Sequence, residues 1–337
     1  MNKSTTTCVI PLIANLPLKL LGSVLVLMAC SGADSGLHDK TKPTSVLKIS
    51  TLLHRNLVEN SVAVTSVTQP GIIFGVNDSG NEPLVFVFDS TGAQRGVLEV
   101  MGAVNRDWEA ASLGPCGANR AASCLFIGDV GDNDARKTQV TIYQVDEPTL
   151  RESTPDSPIQ IPVRDRLDFR YADHPHDVEA MYVTRDGSIF LITKRRLLDG
   201  QGRPRPALVF RLAPEAWDSI GIVTARLVDS LPIIPGETLG RTISDASLSR
   251  DGKLLAVRTY AEIFVFAMDS ASGLPGHGRP STICSIAHLK ENQGEGVGWW
   301  WDGRRLLLTS EGRSEPFYVV GCRPPIPVAD RGARPNE

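Results

Sequence analysis

The chain has 337 residues, 42% hydrophobic and 22% charged, enough for one large domain with a proper core. Its formal net charge is −3, and losing Lys3 and Lys19 with an N-terminal leader leaves 33 basic against 38 acidic side chains, or −5. That balance argues against a general nucleic-acid or anionic-membrane binder, and the lack of long amphipathic helical stretches argues against an α/β fold.

The first element is a leader. Lys3 makes a weakly basic start, and the apolar core runs from Leu20 to Ala29, about the length of a signal h-region and short for a bilayer span. It ends in Leu27-Met28-Ala29-Cys30, which resembles the bacterial lipoprotein cleavage box. Residues 1–29 are therefore expected to be a lipoprotein signal peptide, with Cys30 the lipidated first residue of the mature chain. Ser31 is compatible with sorting to the outer membrane of a Gram-negative cell. Residues 30–45 read as a flexible tether, 46–323 as the folded domain and 324–337 as a disordered tail.

Beyond the tether one pattern recurs. An acidic residue opens a short β-like run at Glu59, Glu109, Glu179, Asp245 and Glu295, with spacings of 50, 70, 66 and 50 residues. A repeat of this length with strands in every unit predicts a β-propeller. Turns follow at Pro70-Gly71, Asp186-Gly187, Asp251-Gly252 and Asp302-Gly303. Second strands are expected at Ile72–Val76, Leu125–Ile127, Ile189–Thr193, Leu254–Arg258 and Leu306–Ser310. Third strands are expected at Leu84–Phe88, Val140–Val145, Ala207–Leu212, Ile263–Ala267 and Phe317–Val320. Fourth strands fall near Val97–Val100, Ile159–Val163, Val223–Val228 and Thr282–Ile286. The last unit lacks one. Val46–Leu52 alternates in strand fashion and is expected to supply it. The predicted fold is thus all-β, a propeller of five four-stranded blades closed by an N-terminal strand, which leaves no open sheet edge.

Cysteine usage agrees with export. With Cys8 in the leader and Cys30 lipidated, Cys116, Cys124, Cys284 and Cys322 remain, and four cysteines allow three pairings. Cys116 and Cys124 bracket one loop, so a local bridge is expected there, leaving Cys284 with Cys322. Paired Cys-x-x-Cys clusters, which would suggest zinc, are lacking.

Innermost strands line a propeller's channel, so equivalent acids form a ring around one axis. Carboxylates at one level repel unless a cation, hydrogen bonds or protons relieve them, or unless they fasten neighbouring blades through backbone N–H groups. The ends of the second strands carry Asp78, Asp129, Lys194, Arg258 and Glu311 and emerge near the same mouth. Glu109, Glu179, Glu295, Asp78, Lys194, Arg258 and Glu311 are the candidate ligand-binding set. Asp129, Asp132, Asn133 and Asp134 offer the hard oxygen ligands that Ca²⁺ prefers, at a spacing unlike an EF-hand. Ca²⁺ or another divalent cation is the expected cofactor. His174-Pro175-His176-Asp177 suggests a metal cluster, but the proline points to a packed loop. Trp299-Trp300-Trp301 suits either sugar stacking or inter-blade core.

Several runs resemble a family of uncharacterised bacterial exported propellers: Asn-Arg-Asp-Trp-Glu-Ala from Asn105, Ile-Gly-Asp-Val-Gly-Asp-Asn from Ile127, Ile-Tyr-Gln-Val-Asp-Glu-Pro from Ile142, His-Asp-Val-Glu-Ala from His176, Leu-Ile-Thr-Lys from Leu191 and Val-Arg-Thr-Tyr from Val257. The match spans about residues 56–322. More distantly the chain is similar to phytase-like and gluconolactonase-like propellers, and that resemblance implies a metal ion or substrate held over the channel by acidic and Asn residues. The leading expectation is a monomeric, lipid-anchored envelope propeller binding a metal ion or small ligand at an acidic mouth. Its alternatives are a metal-assisted hydrolase of a phosphoester, lactone or glycan, and a scaffold for another envelope protein.

Overall fold

The computed structural model describes residues 41–51, 56–117, 119–149, 157–194 and 197–322. The expected leader, Cys30, most of the expected tether and the expected C-terminal tail lie outside them. The described chain is all-β, with one short 3₁₀ turn at Pro214–Asp218.

Successive four-stranded antiparallel units follow one another along the chain. The first pairs Val64–Thr65, Ile72–Val76, Leu84–Asp89 and Gln94–Met101 in that order. The second runs Trp108–Cys116, Asn119–Asp129, Val140–Asp146 and Asp165–Tyr171. The third runs Val178–Val183, Ile189–Thr193, Ala207–Leu212 and Val223–Leu231. The fourth runs Ile243–Leu248, Leu254–Thr259, Glu262–Asp269 and Thr282–Ser285. In the last, Gln293–Trp299, Leu306–Glu311 and Pro316–Gly321 are completed by Ser45–Thr51, antiparallel to Pro316–Gly321. Chain contacts begin before that strand. Thr41 bridges Cys284, and Thr44 N–H donates to Gly321 O at 2.8 Å.

The innermost strands pack side by side in sequence order, and Val64–Thr65 lies against both Trp108–Cys116 and Gln293–Trp299. The core is divided accordingly. Trp108, Leu125 and Tyr143 of the second unit pack with Phe74, Val85 and Leu98 of the first. Phe126 and Phe169 meet Phe210, Tyr182 and Phe190 meet Leu255 and Phe264, and Val265 meets Leu306 and Val320. Leu307 and Phe317 pack against Phe86 and Phe88, joining last unit to first. Burial between faces of successive sheets, closing on itself, is the propeller arrangement.

Glycine makes one of these approaches possible. A Cβ at Gly296 would run into Thr309 Oγ1 and the Val62 backbone, and one at Gly298 into Ala63 O. The alternating glycines of Gly-Glu-Gly-Val-Gly therefore let the last innermost strand press onto the first.

One expected strand has a different place. Ile159–Pro162 is not the outer strand of the second unit. It adds parallel to Gln94–Met101 on the outside of the first, and Asp165–Tyr171 takes the expected position. That strand buries Leu167, Phe169 and Tyr171 and turns Arg166 and Arg170 outward. Its frequent charges hide a period-two pattern. Asp165–Tyr171 also pairs parallel to Val223–Leu231, so the second and third units share an eight-stranded sheet. Both cysteine pairs are bonded: Cys116–Cys124 with Cα atoms 5.1 Å apart and Cys284–Cys322 at 5.9 Å. The first staples a hairpin and the second ties the fourth unit to the end of the last.

Candidate functional site

The acids owe their placement to bulges. Glu109 is the extra residue between the pairs Trp108–Asp129 and Ala110–Gly128, and Glu179 the extra residue between Val178–Thr193 and Ala180–Ile192. Glu295 lies in the irregular step between Gly294–Ser310 and Val297–Leu308. A bulge turns its extra side chain out of the normal alternation. In the fourth unit that position belongs to Ser244, between Ile243–Thr259 and Asp245–Arg258. In the first, Asn60 bridges Asn77 and Ser61 N–H donates to Val76 O, which puts Ser61 there. The equivalent set is Ser61, Glu109, Glu179, Ser244 and Glu295.

Glu59 and Asp245 thus do not belong to the ring expected from the repeat. Each is out of register by the bulge or its approach. Asp245 is a fastener: Oδ1 accepts from Ala246 N–H at 2.7 Å, Oδ2 from Val297 N–H at 2.8 Å, and the Ala63 backbone also donates to it. Glu59 accepts from Asn81 Nδ2 at 2.8 Å.

At the mouth, Lys194 Nζ donates to Glu179 Oε1 at 2.7 Å, with Glu179 buried and Lys194 half-buried. Burial alone would lower the lysine's pKa, but Glu179, Tyr260 and Glu295 hold it above the ordinary value, so it stays charged. Gln293 Nε2 donates to Glu295 Oε1 at 2.7 Å and to Glu311 Oε1 at 2.9 Å. Glu295 Oε2 and Asp78 Oδ1 are buried without a hydrogen-bond partner.

These groups lie close enough to perturb one another. Burial pushes Glu109 well above the usual carboxylate range against the pull of Lys194, with Asp78, Asp107 and Glu295 adding to the rise. Burial and then Glu109 raise Glu179. Glu295 is pushed up to about 7 by burial, partly offset by Lys194 and Gln293. Asp78 also rises to about 7, through burial and its neighbours Glu59 and Glu311. Glu311 and Tyr260 are raised, again mainly by burial. Glu109, Glu179, Glu295, Asp78, Glu311 and Lys194 therefore form one electrostatic cluster. Sequence reasoning missed Gln293 and Asp107. Each stands two residues before a cluster glutamate, Gln293 donating to Glu295 and Asp107 raising Glu109.

Arg258 has a different surrounding. It is fully buried, donating through Nη1 to Gly296 O at 2.7 Å and Thr309 O at 2.9 Å, and through Nη2 to Glu291 Oε2 at 2.7 Å. A Cβ on Gly294 would strike its guanidinium.

The acidic loop of the second unit is dispersed. Asp129 Oδ1 accepts from Asp107 N–H at 2.8 Å, and Asp132 Oδ2 from Lys137 N–H at 2.7 Å. Asp132 N–H donates to Asp177 Oδ1 at 2.9 Å, Asp134 faces Arg136, and Asn133 is exposed. Among the described residues neither this loop nor the glutamate cluster gathers three acidic ligand atoms within 4.8 Å of one another.

A cavity of about 670 Å³ opens at the opposite ends of the innermost strands, between Ala63, Ala111, Ala246 and Trp299–Trp301. Trp299 is core: it is buried, and its indole N–H donates to Ser247 O at 2.9 Å. Trp301 N–H donates to Ser66 O at 3.1 Å, and Trp300 is covered by Arg305, 5.8 Å from its ring centre.

No protein-family model matches the chain, and no curated protein matches it in sequence. Among solved structures it is similar to Myxococcus xanthus glutaminyl cyclase, at 9% identity over 82% of this chain and 97% of that one, with a TM-score of 0.44. It is also similar to a gluconolactonase from Xanthomonas campestris, at 13% identity over 82% and 89%, with a TM-score of 0.40. A third is Kuenenia stuttgartiensis hydrazine synthase, at 16% identity over 82% and 58%, with a TM-score of 0.37.

Proposed function

We propose that this chain is a cell-envelope propeller of five four-stranded blades, carried on a lipid at Cys30, that binds a small cation or cation-bearing ligand at its acidic channel mouth. Support for the blade count comes from the closed sequence of inter-unit cores. One observation carries the binding site. Three glutamates at equivalent bulges are buried together, and among the described residues the ammonium of Lys194 is paired to one of them. The remaining charge must be met by protons or by a ligand. Carboxylate oxygens suit a hard cation such as Ca²⁺, and Glu295 Oε2 and Asp78 Oδ1 are free to accept. The wide spacing favours a ligand larger than a bare ion.

Protons and ligand then compete. Glu295 and Asp78 titrate near 7, above their unfolded values, so the protonated form stabilises the fold. That contribution is complete below the unfolded values and is lost as pH rises through about 7. For Glu295 it amounts to at most about 3 kcal/mol. The melting temperature without ligand is expected to fall between pH 6 and 8. The rise caused by Ca²⁺ or by the diamine putrescine should grow over the same interval, because only ionised carboxylates bind cations. Glu295→Gln should abolish that rise while leaving the unliganded protein as stable as before, or more so. If neither probe shifts the melt and Glu295→Gln destabilises, the cluster is structural.

A second reading has one specific support. A buried carboxyl titrating near 7 beside a lysine can serve as a general acid or base at neutral pH. Turnover of a phosphoester, lactone or glycan lost in Glu295→Gln would establish a hydrolase. For the anchor, labelled fatty acid is expected to mark the intact chain and not Cys30→Ala; equal labelling of both would remove the lipid.

A further inference from the structure

Asp173, His174 and His176 lie on the loop that enters the innermost strand of the third unit, outside the glutamate cluster. His176 Nε2 is 2.9 Å from Asp173 Oδ1, and His174 Nε2 is 3.6 Å from Asp173 Oδ2. One ligand atom from each residue falls within 4.8 Å of the other two. We propose that these three residues form a binding site for a borderline divalent cation of the zinc class.

The spacing suits such an ion. Zn–N and Zn–O bonds of about 2.0–2.2 Å in a tetrahedron separate the ligand atoms by about 3.3 Å. The two observed separations, one to each carboxylate oxygen of Asp173, are of that order, and the three ligand atoms lie within 4.8 Å of one another, so side-chain rotation can close them on an ion. An Asp–His hydrogen bond by itself accounts for the 2.9 Å contact. It does not account for a second imidazole nitrogen brought to the same carboxylate.

The far side of each imidazole is also held. His174 Nδ1 lies 2.9 Å from Pro175 O, an acceptor only, so this nitrogen carries the proton. Its Nε2 faces Asp173 Oδ2 at 3.6 Å. A ligating histidine is ordinarily held in this way, its other ring N–H given to a backbone carbonyl. His176 is locked by packing, its ring centre 5.2 Å from that of Tyr171 and 4.8 Å from that of Phe210.

The site is open on one side. The His176 side chain is 1% exposed, but those of Asp173 and His174 are 39% and 58% exposed. An ion enters from that side, and water completes its shell. Two imidazoles with one carboxylate suit Zn²⁺, Ni²⁺ or Cu²⁺ over Ca²⁺, which takes oxygen ligands. Proline between the histidines limits the loop's other conformations, so the arrangement is partly preformed.

The test uses the soluble mature chain without a histidine tag, stripped with chelator and titrated with ZnCl₂ by calorimetry. One equivalent is expected to bind with a Kd of about 10 µM or tighter. Asp173→Asn and His174→Ala should each weaken it about tenfold or more. His174 is exposed, so His174→Ala should leave the metal-free melting temperature where it was. Glu295→Gln should leave the Zn²⁺ titration unchanged, which separates this site from the channel mouth. Absence of binding at that affinity, or equal binding by all variants, would overturn the proposal.

Discussion

Arg258→Ala is expected to destabilise the fold by about 3–5 kcal/mol, the usual cost of removing one partner from a buried ion pair. Glu291 would keep a charge with little solvent to stabilise it, and Gly296 O and Thr309 O would lose their donors. For a chain of this size the melting temperature should fall by roughly 10 °C. Arg258→Met combined with Glu291→Gln should recover part of the loss, because no buried charge is left unpaired. The pair of variants also decides the role of Arg258, which sequence position places among the ligand groups. A stable Arg258→Ala protein that no longer responds to cations would put Arg258 in the binding site. A large destabilisation, partly rescued by the double variant, makes it a fastener between the last two units.

Deleting residues 44–51 should open the ring. The strand Ser45–Thr51 hides little of itself, with Val46 and Leu47 44% and 50% exposed. Its effect lies in what it covers: the backbone edge of Pro316–Gly321, paired from Ser45–Gly321 to Thr51–Pro316. Without it that edge is open to pairing with other chains, and the cluster around Phe317 loses its contact with Ile49. A lower melting temperature and concentration-dependent association are the expected outcomes. Deleting residues 31–40, which removes none of these contacts, should change neither. Identical melts for the two truncations would show that closure does not depend on this strand.

How far the sequence reached can be seen at particular elements. Closure by a strand from the N-terminus was legible because Val46–Leu52 alternates with no neighbour to pair with and the last repeat lacks an outer strand. Both disulfides were legible from loop length and elimination. The outer strand Asp165–Tyr171 was not, since alternating charges resemble a loop until a buried face is known.

The carboxylate ring marks the boundary most sharply. Glu109, Glu179 and Glu295 were identifiable because the repeat places an acid where each innermost strand begins. Glu59 and Asp245 share that spacing, yet one binds Asn81 and the other fastens three units through backbone N–H groups. Local composition determined by itself that this chain forms repeated antiparallel sheets with acids near one channel end, because alternation and turn chemistry act over a few residues. Only tertiary structure decided which acids meet. A bulge shifts register by one residue, a strand's side chains change face with each step, and the pairing partner that sets the register lies far along the chain.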